Sequence, residues 1–143
     1  MSAARITELT RFFNEGAAIG RTFGMTLSFT DEGCAVVDLP YNPALNHAAG
    51  GIHGGVYCTM LDVAGWFTAA ATHEESCWLA TSELSIHFLA PAKATALRAV
   101  GRLIKPGKRQ DVAEAHLYDE HNHLVGHAVG TFVVLPHIPL EPN

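Results

Sequence analysis

Residues 46–72 decide the fold, and they read N-H-A-A-G-G-I-H-G-G-V-Y-C-T-M-L-D-V-A-G-W-F-T-A-A-A-T. From Val56 onward the stretch contains no proline and a single charge, Asp62, and its other residues are apolar, Gly or Thr. A helix that is apolar all round must be buried on all sides. We therefore predict a central helix from about His53 to His73, roughly 30 Å long, with the rest of the chain wrapped around it. Its aspartate and glycine-rich start are not typical of a membrane span.

Length and composition narrow the class of protein. The chain has 143 residues, of which 48% are hydrophobic, and no change in composition indicates a linker, so we predict one domain over residues 1–143. Nine basic residues and a net charge of −5 argue against a nucleic-acid-binding protein. The N-terminus lacks the pattern of a signal peptide, and the three cysteines form no C-x-x-C pair. These features predict a cytoplasmic protein with reduced thiols.

Two elements are predicted before the central helix. Apolar residues recur at helical spacing over residues 3–18, so the N-terminal segment 1–20 is expected to form an amphipathic helix outside the core, as a lid or spacer. Met25–Phe29 and Cys34–Leu39 are typical of strands, and the Asp-Glu-Gly turn between them favours a hairpin.

Four strands are predicted after the central helix. Alternation of apolar and polar residues places them through Leu84, Ile86 and Phe88, through Leu97, Ala99 and Leu103, over Val112–Tyr118 and over Leu124–Leu135. The proline-containing tail, 136–143, is predicted to be loop. Hairpin connections favour an antiparallel sheet, so the fold class is α+β, with the sheet curled around the helix. No predicted element covers the outer face of this sheet, and we expect the chain to self-associate.

The central helix carries two features that indicate chemistry. Burying an ionised carboxylate in an apolar helix costs free energy unless the carboxylate is hydrogen-bonded or close to water. Asp62 is therefore a candidate for a functional role. The structural alternative is a hydrogen bond to a Thr or to the backbone in the core. The second feature is the helix entry, where four glycines allow close approach of a ligand and leave N–H groups at the positive end of the helix dipole: Gly50, Gly51, Gly54 and Gly55. Such amides suit a carbonyl oxygen that becomes an oxyanion.

The order of elements, together with three motifs, resembles one family. The motifs are Asn46 followed by His53-Gly-Gly, Asp62 nine positions after that histidine, and T-S-E-L-S-I-H-F-L-A-P-A from Thr81. Over about residues 20–135 they resemble the hotdog-fold acyl-CoA thioesterases of the phenylacetate-degradation (PaaI-like) type, in the 4-hydroxybenzoyl-CoA thioesterase superfamily. The resemblance implies a hotdog fold and a homodimer or homotetramer (a dimer of dimers). It also implies hydrolysis of an acyl-coenzyme A thioester without metal or redox cofactor.

The resemblance also implies roles for single residues. Asp62 corresponds to the general base or nucleophile, Gly54 to the amide that polarises the thioester carbonyl, and His53 to a residue that supports the helix start. Asn46 corresponds to a loop Asn that orients water or the carbonyl, although the loop between Asn46 and His53 is one residue longer than is usual. Thr81 corresponds to a hydroxyl residue on the first strand after the helix. From the residues alone, His53 could simply cap the helix and Thr81 could simply favour a strand.

Further residues are candidates for substrate binding. Trp66 lies four positions beyond Asp62 and therefore beside it on the helix, which suits an aromatic or medium-chain acyl group. Gly55 belongs to the helix entry. Glu83 alternates onto the same side as Thr81 and could be a second carboxylate. Three basic residues cluster at a turn, where they either meet the phosphates of coenzyme A or form a solvated hairpin tip: Lys105, Lys108 and Arg109.

Two other function classes remain open, and no metal is predicted. A hotdog hydratase or dehydratase would act on enoyl or hydroxyacyl thioesters, and a non-catalytic acyl-CoA binder would have no turnover. Four histidines fall near one predicted hairpin, but their spacing matches no zinc pattern: His116, His121, His123 and His127.

The spacing of His53 and Asp62 predicts an active site shared between two chains. Nine residues at about 100° each make about 900°, so two helical residues at this spacing point to opposite sides of the helix. A two-fold dimer can place the helix entry of one subunit against the Asp62 face of the other.

Overall fold

In residues 1–74 and 77–141, which the computed structural model describes, the chain forms three α-helices and one six-stranded sheet. A short 3-10 turn, Pro43–Leu45, precedes the longest helix. The elements are α1 Ala3–Gly16, α2 Ala18–Phe23, β1 Thr26–Phe29, β2 Ala35–Leu39, α3 Gly54–Ala70, β3 Cys77–Phe88, β4 Leu97–Lys105, β5 Gln110–Asp119 and β6 Leu124–Pro139. No helix in these residues is both long enough and apolar enough to cross a membrane.

The sheet has the strand order β1-β2-β4-β5-β6-β3, and every neighbouring pair is antiparallel. This confirms the predicted α+β class and the N-terminal hairpin. Strands β4, β5 and β6 follow one another directly, whereas β3 pairs with β6 and therefore lies at one edge of the sheet. The other edge is β1, which has only four residues.

The predicted central helix is α3, and the sheet curls around it. It is buried on all sides from Ala64 to Ala70, whereas its first half is buried on one side only. It packs against β2, β3, β4, β5 and β6. Neighbouring strands are about 4.8 Å apart and a helix is about 10–12 Å wide, so a flat sheet could not place five strands against one helix. At Gly101, β4 comes so close to α3 that an added Cβ atom would clash with the carbonyl oxygen of Ala64.

The N-terminal helix is confirmed, but it ends at Gly16 and a second helix starts at Ala18. Ser2 caps α1 by accepting a hydrogen bond from the Arg5 N–H at 3.2 Å. Leu9 and Phe13 are buried, and the Phe13 ring meets the ring of Phe67 on α3 edge to face. The helix therefore packs against the C-terminal half of α3.

Strand β3 starts earlier than predicted and contains a β-bulge. It begins at Cys77, so Thr81 lies in the middle of the strand. Thr81 pairs with Phe132, whereas Glu83 pairs with the adjacent residue, Thr131. Consecutive residues of a strand point to opposite faces, so the bulge leaves Thr81 on the inner face with buried Phe132 and places Glu83 on the outer face. The expectation that Glu83 shares a side with Thr81 is wrong.

The prediction of loop from residue 136 onward is wrong for residues 136–139. Strand β6 continues to Pro139, which pairs with Cys77. Strand β5 begins at Gln110, opposite Val133, so the last part of β6 has a partner on one side only. Proline is tolerated where its missing N–H faces no neighbouring strand. Residues 142–143 of the predicted tail lie outside the described residues.

The outer face of the sheet is more polar than the sequence suggested. Arg98 and Asp38 form an ion pair at 2.7 Å across β4 and β2. Glu114 on β5 accepts a hydrogen bond from the His127 ring at 3.0 Å and lies 3.7 Å from the Arg102 guanidinium. The two faces of the sheet therefore differ in chemistry, and the inner face holds the apolar core.

Candidate active site

Asp62 projects from α3 towards the edge strand β3. The Thr81 hydroxyl donates a hydrogen bond to Asp62 Oδ1 at 2.8 Å. Burial raises the pKa of the Asp62 carboxyl above its ordinary value, and the hydrogen bond from Thr81 lowers this pKa by a smaller amount. The net result is a half-buried carboxylate that is more basic than a surface aspartate and held in a fixed position.

A cavity of about 410 Å³ opens beside Asp62. Its size is within the range of small-molecule pockets. Asp62 and the Thr81 hydroxyl are the polar side-chain groups of a wall that is otherwise apolar. Five aromatic rings from three elements line it: Phe12 and Phe13 of α1, Trp66 and Phe67 of α3, and Trp78 of β3.

The aromatic wall is fixed by contacts among its own members. The Trp66 indole N–H donates to the Leu79 carbonyl at 2.7 Å, and the Trp66 ring lies 5.3 Å from the ring of Trp78. Phe12 meets Trp78 edge to face at 6.3 Å. The structure thus places Trp66 beside Asp62, as the helical spacing indicated. The sequence did not predict Phe12 and Trp78 as cavity residues, because only tertiary packing brings α1 and the start of β3 together here. The one local indication was the adjacent pair Phe12 and Phe13 in an amphipathic helix.

The start of α3 is capped by His53. Its Nδ1 accepts a hydrogen bond from the Gly55 N–H at 2.8 Å, and its carbonyl accepts from Val56 N–H at 2.9 Å. The Gly55 amide is therefore engaged, and it is not one of the free donors that the glycine-rich entry suggested. In the described part of the chain, the Gly54 N–H meets no acceptor. Gly54 lines a second cavity of about 320 Å³, together with Tyr57 and residues at the end of β3.

The loop before α3 brings Asn46 to the helix entry despite its extra residue. A tight turn with Gly50 at φ 86° is closed by hydrogen bonds between His47 and Gly51 and between Gly50 and His47, so Asn46 forms a bridge with Ile52. The Asn46 side-chain N–H₂ donates to the Tyr41 hydroxyl at 3.0 Å. Its Oδ1 is buried and accepts no hydrogen bond from the described residues. A buried acceptor of this kind requires a functional or structural explanation.

Within one chain the two candidate features, the Asp62 carboxylate and the Gly54 amide, are separate. The cavity at Asp62 and the cavity at Gly54 share no lining residue. His53 is a cap with ψ 139°, outside the regular helix, so the 900° count from His53 does not describe the structure. Gly54 and Asp62 are eight helical positions apart, which makes them only about 80° apart in direction but about 12 Å apart along the axis. Distance along the helix, and not direction, separates the amide from the carboxylate.

The three basic candidates lie at the other end of α3. Lys105 ends β4, and Lys108 lines a cavity with Thr72 and His73, beyond the C-terminal end of the helix. That end is about 12 Å from Asp62 along the axis. The structure does not bring Lys105, Lys108 or Arg109 to either half of the site within the chain.

Comparison with known proteins identifies the class. Residues 49–125 match the model of the thioesterase superfamily, and the chain belongs to that superfamily. Two proteins of Saccharolobus solfataricus, each named "Putative esterase", are similar to it. One is 32% identical over 111 residues, covering 78% of this chain and 73% of the relative. The other is 26% identical over 130 residues, covering 91% and 92%.

Solved structures confirm the hotdog fold. The PaaI protein of E. coli, from the phenylacetic acid degradation operon, has a TM-score of 0.81 at 22% identity, covering 93% of this chain and 95% of its own. The BH2602 protein from Bacillus halodurans, determined with CoA, has a TM-score of 0.78 at 27% identity, covering 92% and 89%. The protein is thus a hotdog-fold hydrolase that acts on thioester bonds.

The raised pKa of Asp62 predicts that Asp62→Asn stabilises the protein at neutral pH. As pH rises from the ordinary aspartate value of 3.8 to the higher folded-state pKa, the folded protein retains a proton that the unfolded chain has released, so wild-type stability falls through this window. Asparagine keeps an acceptor for Thr81 without this cost. The melting temperature of Asp62→Asn should exceed that of wild type at pH 7, and the difference should shrink towards pH 4.

Glu83→Gln is the matched control, because it removes an exposed carboxylate from the opposite face of β3. We expect it to leave the melting temperature within about a degree of wild type. A lower melting temperature for Asp62→Asn than for wild type at pH 7 would contradict the assigned environment of the carboxylate.

Proposed function

We propose that this protein is an acyl-CoA thioesterase that releases a free acid and coenzyme A, using Asp62 as general base or nucleophile. The observation that carries the proposal is a basic, half-buried carboxylate at the edge of an aromatic cavity, in a chain of the thioesterase superfamily. A similar structure determined with CoA supports coenzyme A as the thiol.

We propose an aromatic acyl group as the substrate class. Aromatic rings prefer edge-to-face and offset contacts with other rings, and such contacts add to the burial of apolar area. Phe12 and Trp78 already meet in this way at the cavity wall, and a planar ring could extend the same packing. The cavity at Asp62 would therefore hold an aryl-acyl group with its carbonyl directed towards the carboxylate.

We propose that each active site is shared between two chains paired along β3. This strand has 12 residues and lies at the edge of the sheet, where unpaired N–H and C=O groups form a template for another strand. Phe88 and Leu89, at and just beyond its end, expose 58% and 53% of their surfaces, and Trp78 near its start exposes 37%. Large exposed apolar side chains at both ends of an open edge strand are consistent with an interface.

A two-fold axis near Leu84 and Ser85 would bring the two halves of the site together. Antiparallel pairing about this point places Phe88 of one subunit opposite the partner's Thr81. In each chain Phe88 packs beside Gly54, and Thr81 holds Asp62. The Gly54 amide of one subunit and the partner's Asp62 would then face one substrate, and symmetry would generate two equivalent sites.

The chemistry follows from these positions. The thioester carbonyl accepts a hydrogen bond from the Gly54 N–H at the positive end of α3, which stabilises the oxyanion as it forms. The partner's Asp62 takes a proton from water, and the resulting hydroxide adds to the carbonyl carbon. In this proposal Asn46 Oδ1, a buried acceptor without a partner among the described residues, accepts a hydrogen bond from that water. The tetrahedral intermediate then expels the thiolate of coenzyme A, which is a good leaving group and needs no strong general acid.

Hydrolysis of a saturated aryl-acyl-CoA, followed by release of free thiol, tests the function. Phenylacetyl-CoA should be cleaved faster than acetyl-CoA, and Asp62→Asn should lower kcat at least about 100-fold, in the range for loss of a general base. The control Glu83→Gln should retain activity. Hydration of crotonyl-CoA without thiol release would show a hydratase instead, and undiminished turnover by Asp62→Asn would exclude the proposed role of the carboxylate.

General-base and nucleophilic catalysis need the same carboxylate in the same place. A single turnover in H₂¹⁸O separates them. Direct attack forms an anhydride with Asp62, and its hydrolysis at the aspartyl carbonyl leaves ¹⁸O in the protein. Proton abstraction by Asp62 leaves ¹⁸O in the released acid alone.

Gly54→Pro should abolish hydrolysis while the protein stays folded. Gly54 is the first residue of α3, where proline is tolerated, and the preceding His53 has φ −62° and ψ 139°, which suit a residue before proline. The change removes the proposed oxyanion donor, which typically costs about 10²–10³-fold in kcat. Gly54→Ala is the control for added bulk, since its Cβ meets Phe88 at 3.1 Å but keeps the N–H. A folded Gly54→Pro enzyme with wild-type kcat would show that this amide is not the donor.

Co-expression of Gly54→Pro and Asp62→Asn chains should restore activity if the site is shared. In a mixed dimer one site carries both lesions and the other carries neither, so random pairing leaves about a quarter of all sites intact. Thiol release by the mixture should approach a quarter of the wild-type rate, and each parent alone should be inactive. A mixture as inactive as its parents, with mixed dimers shown by mass spectrometry, would place the whole site in one chain.

A further inference from the structure

A row of three histidines crosses the outer face of the sheet. His116 on β5 is paired in register with His127 on β6, and His127 is paired in register with His87 on β3. Residues in register on neighbouring strands point to the same face, so the three imidazoles stand side by side. Glu114 lies two residues before His116 and therefore shares this face. Linear spacing could not show this group, because its members come from three strands.

Three of these side chains are close enough to share one ion. One ligand atom each from Glu114, His116 and His127 lies within 4.8 Å of the other two. The Glu114 carboxylate is 3.0 Å from His127 Nε2, and the His116 and His127 rings are 4.8 Å apart. In a tetrahedral zinc site, bond lengths near 2.0–2.1 Å place ligand atoms about 3.4 Å apart. The largest separation would therefore close by about 1.4 Å, within reach of small side-chain rotations.

We propose that Glu114, His116 and His127 form a binding site for a divalent transition-metal ion, and that Zn²⁺ suits it best. Two imidazoles and one carboxylate are ligands that zinc accepts readily, whereas calcium and magnesium prefer oxygen ligands throughout. The His87 ring stacks on His127 at 5.9 Å and is the nearest further imidazole for a fourth position.

The surroundings of Glu114 support a ligand role. The Glu114 carboxylate already lies 3.0 Å from His127 Nε2, and its side chain is only 19% exposed, so it faces the imidazoles and not solvent. Arg102 is the competing charge, since its guanidinium lies 3.7 Å from the carboxylate. Its side chain is 75% exposed and can turn into solvent when a metal binds.

The site lies on the opposite face of the sheet from Asp62. Glu114 and His116 alternate along β5 with Ala113, Ala115 and Leu117, which are buried against the inner core. The ion would therefore link β5 to β6 on the outer face and would take no part in thioester hydrolysis. Its effect would be on stability, because an ion that binds only the folded state raises the melting temperature.

Zinc titration of the whole untagged protein, after dialysis against a chelator, tests the proposal. Calorimetry should show one Zn²⁺ per chain with a micromolar or lower Kd, and zinc should raise the melting temperature. Glu114→Gln and His116→Gln should each weaken binding at least tenfold, and Arg102→Gln should strengthen it. The matched control is the double variant His121→Gln and His123→Gln, which removes two exposed imidazoles of the β5–β6 turn and should leave the Kd unchanged.

Two outcomes would overturn the proposal. One is the absence of stoichiometric zinc binding to wild type, and the other is binding that survives in both Glu114→Gln and His116→Gln. Glu114→Gln keeps the shape of the side chain, and His116→Gln is a second, independent variant, so a folding defect in one leaves the other to decide. Thioesterase activity is not the readout, so failure here leaves the proposed function intact.

Discussion

Burial of most of an almost wholly apolar helix is the constraint on which the rest of this structure depends. Helix α3 is too narrow to be covered by a flat sheet, so five strands must curl to reach it. A curled sheet brings strand backbones close to the helix backbone. Gly101 allows β4 to approach Ala64 of α3, because it has no Cβ atom. The sheet thus encloses the helix on most sides. The helix becomes partly exposed where the sheet ends.

Asp62, the carboxylate that we propose as general base or nucleophile, lies where the sheet ends. Asp62 faces β3, the edge strand, where the carboxylate is half-buried and can reach both a hydroxyl and a cavity. Deeper in the core an ionised carboxylate without such partners as those of Asp111 would be too costly, and on the surface it would be an ordinary acid. The edge of the sheet supplies the intermediate environment that raises the pKa of Asp62. The same open edge supplies the surface along which we propose that two chains pair.

Alternation along the central strands separates two kinds of chemistry. Apart from buried Asp111 near the start of β5, the inner residues of β5 and β6 are mostly small or apolar and build the core around α3. The outer residues include Glu114, His116 and His127. These residues are neighbours in space only because two hairpin strands share one register. A hydrolase site and a candidate metal site can therefore occupy opposite faces of one sheet without interfering with each other.

The sequence by itself determined the buried helix, the strands of the sheet and the α+β class, and it made Asp62 a candidate for chemistry, because apolar periodicity and an isolated charge are local signals. It also placed Trp66 beside Asp62, since helical spacing alone requires this. Tertiary structure decided what depends on register and on packing between distant segments. A bulge between Thr81 and Glu83 places the Glu83 carboxylate on the outer face of the sheet. Because β3 begins at Cys77, which pairs with Pro139, β6 continues into the proline-containing tail. Contacts between separate elements place Phe12 and Trp78 at the cavity and His116 beside His127. No single stretch of sequence encodes such contacts.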